Sequence, residues 1–482
     1  MAGSIRVTTV RDAPVARGEH VLYWMIAARR TTHSVALDHA IQRAVELDRP
    51  LLVLEPLRAG YPWASDRMHA FVIDGMIDNA RAFAAAGVTY LPYVEPAPGN
   101  GRGLLAALAR RACLVITDEQ PGFFLPAMVA AAGARLDRRI EQVDGNGLMP
   151  LRASPGAFST AMAFRRHLQK VVHPYLGAMP RPAPLARLPK VVRDADVAGS
   201  ILRRWPSAAI DRTALARLAI DHTIAPVAYR GGSRAAARQL SSFIADRLPR
   251  YADGRNHPDD DASSGLSPYL HFGHVGAHDV IRRVWRFADW NPSKLAPRAT
   301  GLRDGWWGAG PAAEAFLDEL VTWRDLGYGF CFHRADYARY SSLPTWAKAS
   351  LAKHARDRRP ELYTRAELEQ ARTGDEIWNA AQRQLVRDGR IHNYLRMLWG
   401  KKILEWSTTP AAAFATLVEL NNKYAVDGRD PNSYSGIAWT LGRFDRPWAP
   451  ERPIFGVIRY MSSARTRDKL DLDDYLRRYQ CS

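Results

Sequence analysis

Asp388-Gly-Arg-Ile-His-Asn-Tyr-Leu-Arg-Met-Leu-Trp-Gly-Lys-Lys-Ile-Leu-Glu-Trp406 is the stretch on which the fold reading turns. Its pattern is helical from Ile391 to Trp406. Trp399 and Trp406 are seven residues apart and so share one helix face, about 10.5 Å apart along the axis. Downstream comes Asn421-Asn-Lys-Tyr-Ala-Val-Asp-Gly-Arg-Asp-Pro-Asn-Ser-Tyr-Ser-Gly-Ile-Ala-Trp439. This polar, turn-rich run inside a helical context is what a buried polar ligand requires.

Outward from there, helical patterns recur over 233–248, 278–287, 312–326, 365–372, 376–388 and 410–420. They define a helical domain over residues 211–482. The first 150 residues read differently. Short apolar runs at 20–26, 50–55, 88–94, 112–117 and 140–143 alternate with amphipathic or Ala-rich stretches at 34–46, 68–86, 104–111 and 125–134. That alternation predicts βαβ units and a parallel sheet. Residues 151–210 are punctuated by Pro174, Pro180, Pro182, Pro184, Pro189 and Pro206. They read as an interdomain linker over the surface. The fold class is an N-terminal Rossmann-like α/β domain, a long linker and a C-terminal all-α domain.

Composition narrows the function. With 47% apolar and 24% charged residues, disordered and collagen-like chains are excluded. The 482 residues carry a formal net charge of +18. Residues 1–150 hold 16 basic and 15 acidic side chains, leaving 51 against 34 in the remainder. The positive excess therefore belongs to the last two-thirds and predicts a polyanionic partner, nucleic acid before membrane. Cys113, Cys331 and Cys481 are scattered, which offers no disulfide framework and no CxxC metal site. That usage fits a reducing cytoplasm. No apolar run reaches membrane-spanning length. Fourteen tryptophans are many for this length and invite a function that uses π systems.

Three clusters take plain readings. Gly99-Asn-Gly-Arg-Gly103 lacks the dinucleotide spacing and reads as a loop. His271, His274 and His278 have no carboxylate or thiol to complete a metal site. Asp259-Asp-Asp261 reads as a solvated turn. The stretch from Tyr251 to Gly273 is more specific, with hydroxyls at Ser263, Ser264 and Ser267 ahead of a helix. Such an arrangement suits a pyrophosphate, and helix capping explains it equally well.

Over these same residues the chain resembles the photolyase/cryptochrome flavoproteins, and within them the class II cyclobutane pyrimidine dimer photolyases. The blocks are SGLSPYLHFG at 264–273, FLDEL at 316–320, KKILEW at 401–406, DGRDPN at 427–432, GIAW at 436–439 and GVIRYM at 456–461. The resemblance implies FAD in the helical domain and light-driven splitting of cyclobutane dimers in UV-damaged DNA, double- or single-stranded. It implies a monomeric enzyme of the bacterial cytoplasm. A second, antenna chromophore would be of the 8-hydroxy-deazaflavin type or none.

By that resemblance Tyr251, Ser264, Leu266 and Ser267 hold the FAD phosphates. Arg396 and Asp427 form an ion pair beside the flavin, and Asn421 faces its N5. Trp399, Trp406 and Trp378 carry electrons to it. Glu319, Trp323, Asn393, Met397 and Trp439 line the lesion pocket, and Arg446 and Arg459 hold the DNA. Cryptochrome-like light sensing without repair is the alternative, and a flavin-free nucleic-acid binder is a third reading. The chain departs from the class II pattern at Ala27-Ala-Arg-Arg-Thr-Thr-His33, at Val457 and at Gly327-Tyr-Gly-Phe-Cys331. The first departure bears on antenna identity, and the second removes one DNA-facing charge.

Overall fold

A computed structural model describes residues 4–480, so Cys481 lies outside the described residues. The chain divides into two compact units. The first comprises residues up to Ala153, Val172–Ser241 and Leu266–Arg283. The second comprises Ser154–Val171, Ser242–Gly265 and the chain from Val284 onward.

The first unit is built on a six-stranded sheet. Its strands are β1 (Val7–Arg11), β2 (His20–Trp24), β3 (Leu51–Leu57), β4 (Thr89–Val94), β5 (Ala112–Asp118) and β6 (Ile140–Val143). The order is β1-β6-β5-β2-β3-β4, parallel throughout except where β1 runs antiparallel to β6. The five parallel strands match the sequence reading; β1 was not anticipated. Its Val7-Thr-Thr-Val-Arg11 is short, polar and half-exposed, as an edge strand is.

Period-two alternation builds two cores. Val21, Tyr23, Met25 and Val53 point to one face, against Leu37, Ala40 and Ile41 of helix Val35–Glu46. Leu22, Trp24, Leu52 and Leu54 point to the other, against Leu104, Leu108 and Val129. At the end of β5, Asp118 accepts the Tyr23 hydroxyl at 2.7 Å and the N–H groups of Ile26, Ala27 and Ala28 at 2.8–3.0 Å. Segment 27–33 is likewise tied inward. Arg29 pairs with the fully buried Glu55 at 2.9 Å, and Arg30 donates to the Gly273 carbonyl at 3.1 Å.

The expected boundaries of 1–150, 151–210 and 211–482 require correction. The proline-rich stretch is not a linker over the surface. Leu188 and Val192 pack into one sheet core, while Ala195, Ile201 and Trp205 pack into the other. Between them the chain passes the turn before edge strand β4, where Asp194 N–H donates to the Gly87 carbonyl and the Thr89 hydroxyl to that of Ala195. It thereby covers the open sheet edge. Farther on, Leu215 and Leu218 pack with Leu57, Val72, Ile73 and Val94. Apolar side chains spaced between prolines carry the burial, and proline content alone concealed it.

The second unit is helical. Helices Glu376–Asp388, Pro410–Tyr424 and Pro431–Thr440 pack around helix Asn393–Trp406. The run from Asn421 to Trp439 is less irregular than its composition suggested. It continues one helix to Tyr424, turns, and starts another at Pro431 with Asp430 capping the Asn432 N–H at 2.9 Å. Helix Ala161–Val171, from the supposed linker, belongs to this unit.

Candidate functional site

The longer of two π-helical segments among the described residues lies where the lesion pocket is expected. Pro311–Leu317 and Arg324–His333 are α-helical, but the turns between them, Asp318–Trp323, are π-helical. Glu319 and Trp323 both sit on this wide turn, a feature concentrated at functional sites. The sequence pattern predicts a plain helix here. Asp318 anchors the turn through a paired contact with Arg165, at 2.8 and 3.0 Å. Glu319 stays partly accessible and accepts from Arg255 at 2.7 Å. Burial pushes its carboxyl above the usual range, against the pull of Arg255 and with the help of Asp318.

Arg255 also lies over the Tyr251 ring at 5.6 Å. Tyr251 is buried edge-on to Phe243 and Phe316, and burial raises its hydroxyl pKa. In the loop that follows, each of Asp259, Asp260 and Asp261 has a partner. Asp260 pairs with Arg250, Asp261 accepts the Ser263 hydroxyl at 2.7 Å, and Asp259 accepts the Asp474 N–H at 3.2 Å. Asp259–Asp261 is therefore a tethered loop, not a free solvated turn. Ser264 is half-buried in it. Leu266 and Ser267 begin the short helix Ser267–His271 and group with the α/β unit, Leu266 buried and Ser267 exposed. That helix has no side-chain N-cap hydrogen bond. In the α/β unit, the Gly99–Gly103 loop is occupied by the chain itself, since Glu95 accepts from Gly99 and Gly101 N–H at 3.0 and 2.9 Å.

Arg396 and Asp427 stand on neighbouring elements, helix Asn393–Trp406 and the turn after helix Pro410–Tyr424. The expected ion pair between them is not closed. Arg396 Nε and Asp427 Oδ1 are each buried without a hydrogen-bond partner. A buried donor and a buried acceptor left this way are costly unless a polar ligand meets them. Asn421 is fixed by its amide nitrogen, which donates to the Gly428 carbonyl at 2.9 Å and to Asn422 at 3.3 Å. A carbonyl can only accept, so the amide orientation is set and Oδ1 remains to accept from a ligand N–H. These donors and acceptors fit a flavin ring edge.

The three expected tryptophans form one contiguous chain of ring contacts. Trp378 lies parallel to Trp399, with centroids 6.4 Å apart, and edge-on to Trp406 at 5.5 Å. Trp378 is therefore the middle member, an order that spacing along the chain leaves open. All three are buried, at 0–3% exposure. Trp399 Nε1 donates to Gln382 Oε1 at 2.9 Å. Tyr363 meets Trp406 edge-on at 5.1 Å.

Asn393 is exposed and Met397 and Trp439 are half-buried. Behind Trp439, the buried Lys401 ammonium lies 5.4 Å from its ring and donates to the Thr440 carbonyl at 2.5 Å. Burial lowers the Lys401 pKa to about 7, with Asp445 opposing and Arg459 adding to the shift. In front, Arg459 spans two indoles, 5.9 Å from Trp439 and 4.8 Å from Trp448, and Arg446 covers Trp448 at 4.9 Å. The structure thus joins Trp439, Arg446 and Arg459 through Trp448, which sequence reasoning passed over. Arg165, Arg255, Gln382 and Lys401 were also missed. Arg255 and Lys401 lie inside quoted motifs, whereas nothing in the sequence marks Arg165 or Gln382.

No family model matches the chain. Curated relatives do. The deoxyribodipyrimidine photo-lyase of Methanothermobacter thermautotrophicus is 32% identical over 474 residues, covering 97% of this chain and 96% of that protein. The photo-lyase of Oryza sativa subsp. japonica is 33% identical, covering 98% and 89%, and that of Potorous tridactylus 30%, covering 95% and 80%. Among solved structures, a bacterial class III photolyase from Agrobacterium tumefaciens aligns with a TM-score of 0.65 at 18% identity, covering 96% of this chain and 87% of the other. A Synechocystis cryptochrome aligns at 0.62 and 16%, covering 95% and 88%. These two show the shared fold. The near-full-length identity to the curated relatives decides the family, and the chain belongs to the deoxyribodipyrimidine photo-lyases.

Proposed function

We propose that this chain is a light-driven DNA-repair lyase of class II type that splits cyclobutane pyrimidine dimers, on double- or single-stranded DNA and as a monomer. The observation that carries the reading is end-to-end similarity to named photo-lyases, covering 97% of this chain and 96% of the first relative. FAD, when bound and reduced, supplies under illumination the electron that opens the cyclobutane ring and takes it back. An antenna chromophore of the 8-hydroxy-deazaflavin type would be an accessory to this step.

The chain's own residues divide the remaining work. Tyr251, Ser264, Leu266 and Ser267 bind the cofactor phosphates. Arg396 and Asp427 would hold the ring edge through the atoms they leave unpaired, and Asn421 Oδ1 would be the acceptor offered to it. A neutral amide there avoids the repulsion that a carboxylate would exert on a reduced, anionic flavin. Trp323, Asn393, Met397 and Trp439 receive the extruded dimer, as enzymes that act on bases must take them out of the stack. Glu319, in its protonated form, donates to the dimer as it becomes an anion. Arg446 and Arg459 hold backbone phosphates. Trp399, Trp378 and Trp406 pass an electron inward to restore the reduced state.

The test is a visible spectrum of the purified protein before and after blue light with a reductant. Flavin absorption that bleaches on illumination is expected. A protein that retains no flavin after purification and reconstitution would overturn the reading.

A further inference from the structure

The tryptophan relay proposed for this chain ends at Trp406, which must be refilled from outside, and the role of the groove beside it rests on that relay. Trp406 forms part of the wall of a groove of about 560 Å³ in the helical unit, a volume suited to a small organic molecule. Its charged lining is Glu361, Asp375, Glu376 and Glu405 against Lys402 and Arg467. Lys402 is held 2.8 Å from Glu405 and 3.6 Å from Asp375, and Arg467 is 2.8 Å from Glu376. Glu361 accepts the Tyr363 hydroxyl and faces no cation among these contacts. Four carboxylates against two cations give the groove a negative excess on a chain of net +18.

We infer that this groove is the docking site of the external reductant and that it selects a small cationic one-electron donor of the aminothiol class. The charge chooses the donor, because a negative cleft concentrates cations and excludes anions. It also keeps DNA phosphates away from the same place, so donor and substrate do not compete. In the step itself, Trp406 has lost one electron to Trp378. The bound thiol gives one electron to the oxidised indole and its S–H proton to water. The indole returns to its neutral state, and the thiol leaves as a thiyl radical that couples with a second one to form a disulfide.

The test compares cysteamine, dithiothreitol and ascorbate, which are cationic, neutral and anionic near pH 7. After a laser flash, the decay of the tryptophan radical in the flavin-loaded protein gives a second-order rate constant for each donor. The expected order is cysteamine, then dithiothreitol, then ascorbate, once each is scaled to its rate with free tryptophan radical. In Glu361→Gln/Glu376→Gln the scaled cysteamine advantage should fall by roughly tenfold, and in wild type it should shrink with added salt. Gln at 361 still accepts from Tyr363, so the fold is preserved.

A second readout needs no flavin. In 5-fluorotryptophan-labelled protein, the Trp406 resonance, assigned by its loss in Trp406→Phe, should shift saturably with cysteamine and not with ascorbate. Equal scaled rates for all three donors, unchanged in the double variant, would overturn the inference while the initial radical yield still supports the relay. If no radical forms at all, the relay reading fails, and an unshifted Trp406 resonance then rules out the groove as a donor site.

Discussion

Trp378 lies parallel to Trp399, with an interplanar angle of 6° and 6.4 Å between centroids, and its Nε1 donates to the Trp399 backbone carbonyl at 3.0 Å. The hydrogen bond fixes the ring that bridges Trp399 and Trp406. Trp378→Phe keeps an aromatic ring but removes this donor and raises the oxidation potential of the central step. The cost in stability should be about 1 kcal/mol from the lost hydrogen bond. Photoreduction should be absent over the period that fully reduces wild type, while repair by chemically reduced enzyme persists. Photoreduction at the wild-type rate would show that electrons take another route.

Arg396 and Asp427 are the proposed contacts to the cofactor. If their unpaired atoms meet the flavin, Arg396→Met should weaken its binding by about ten- to a hundredfold, the 1.5–3 kcal/mol of a hydrogen bond to a charged group. Equilibrium dialysis of the reconstituted protein measures it. Unaltered affinity would place the flavin elsewhere.

Glu319 should give repair a pH dependence. Burial favours its protonated form, so the hydrogen-bond donor is present at low pH and is lost as pH rises through a value above the ordinary carboxylate range. Repair by pre-reduced enzyme should decline across that window in wild type. Glu319→Gln, which donates at every pH, should stay flat. A wild-type profile as flat as that of the variant would remove Glu319 from the chemistry.

Lys401 should act on stability. Its folded pKa of about 7 lies below the ordinary 10.5. Between these values the unfolded chain binds the extra proton, so this residue makes stability rise with pH over that window. At pH 6 both states are charged, and the full penalty applies, up to about 5 kcal/mol at 1.36 kcal/mol per unit. In urea unfolding, Lys401→Met should therefore gain on wild type at pH 6.5 relative to pH 9.5. A difference independent of pH would mean that the ammonium is solvated.

Much of the fold was legible in the sequence because periodicity and motif spacing record local structure. The five parallel strands follow from apolar runs between amphipathic stretches, and Ser34 marks a helix start that it does cap, accepting from Leu37 N–H. What was not legible depends on long-range partners. The π-helical turn at Asp318–Trp323 keeps an ordinary helical composition, and its anchor, Arg165, lies 153 positions away. The proline-rich stretch hid its role because burial of Leu188 and Trp205 depends on where the sheet edge lies. The open Arg396–Asp427 pair shows a limit of another kind. Resemblance named both residues but not the gap left between their polar atoms, which no motif records.

In the proposed reading, substrate choice rests, on the protein side, on Asn393 and Met397. By the family resemblance, enzymes that repair the (6-4) photoproduct carry acid histidines at the positions matching these two, and an amide and a thioether have no proton to give near pH 7. The direct measurement is chromatography of one oligonucleotide bearing a cyclobutane dimer and another bearing a (6-4) lesion. Each is treated with reduced, flavin-loaded protein, in blue light and in the dark. Restoration of the cyclobutane dimer in light only is expected, with the (6-4) lesion untouched. Restoration of the (6-4) lesion alone, or of neither by protein with reduced flavin bound, would contradict a cyclobutane-dimer lyase.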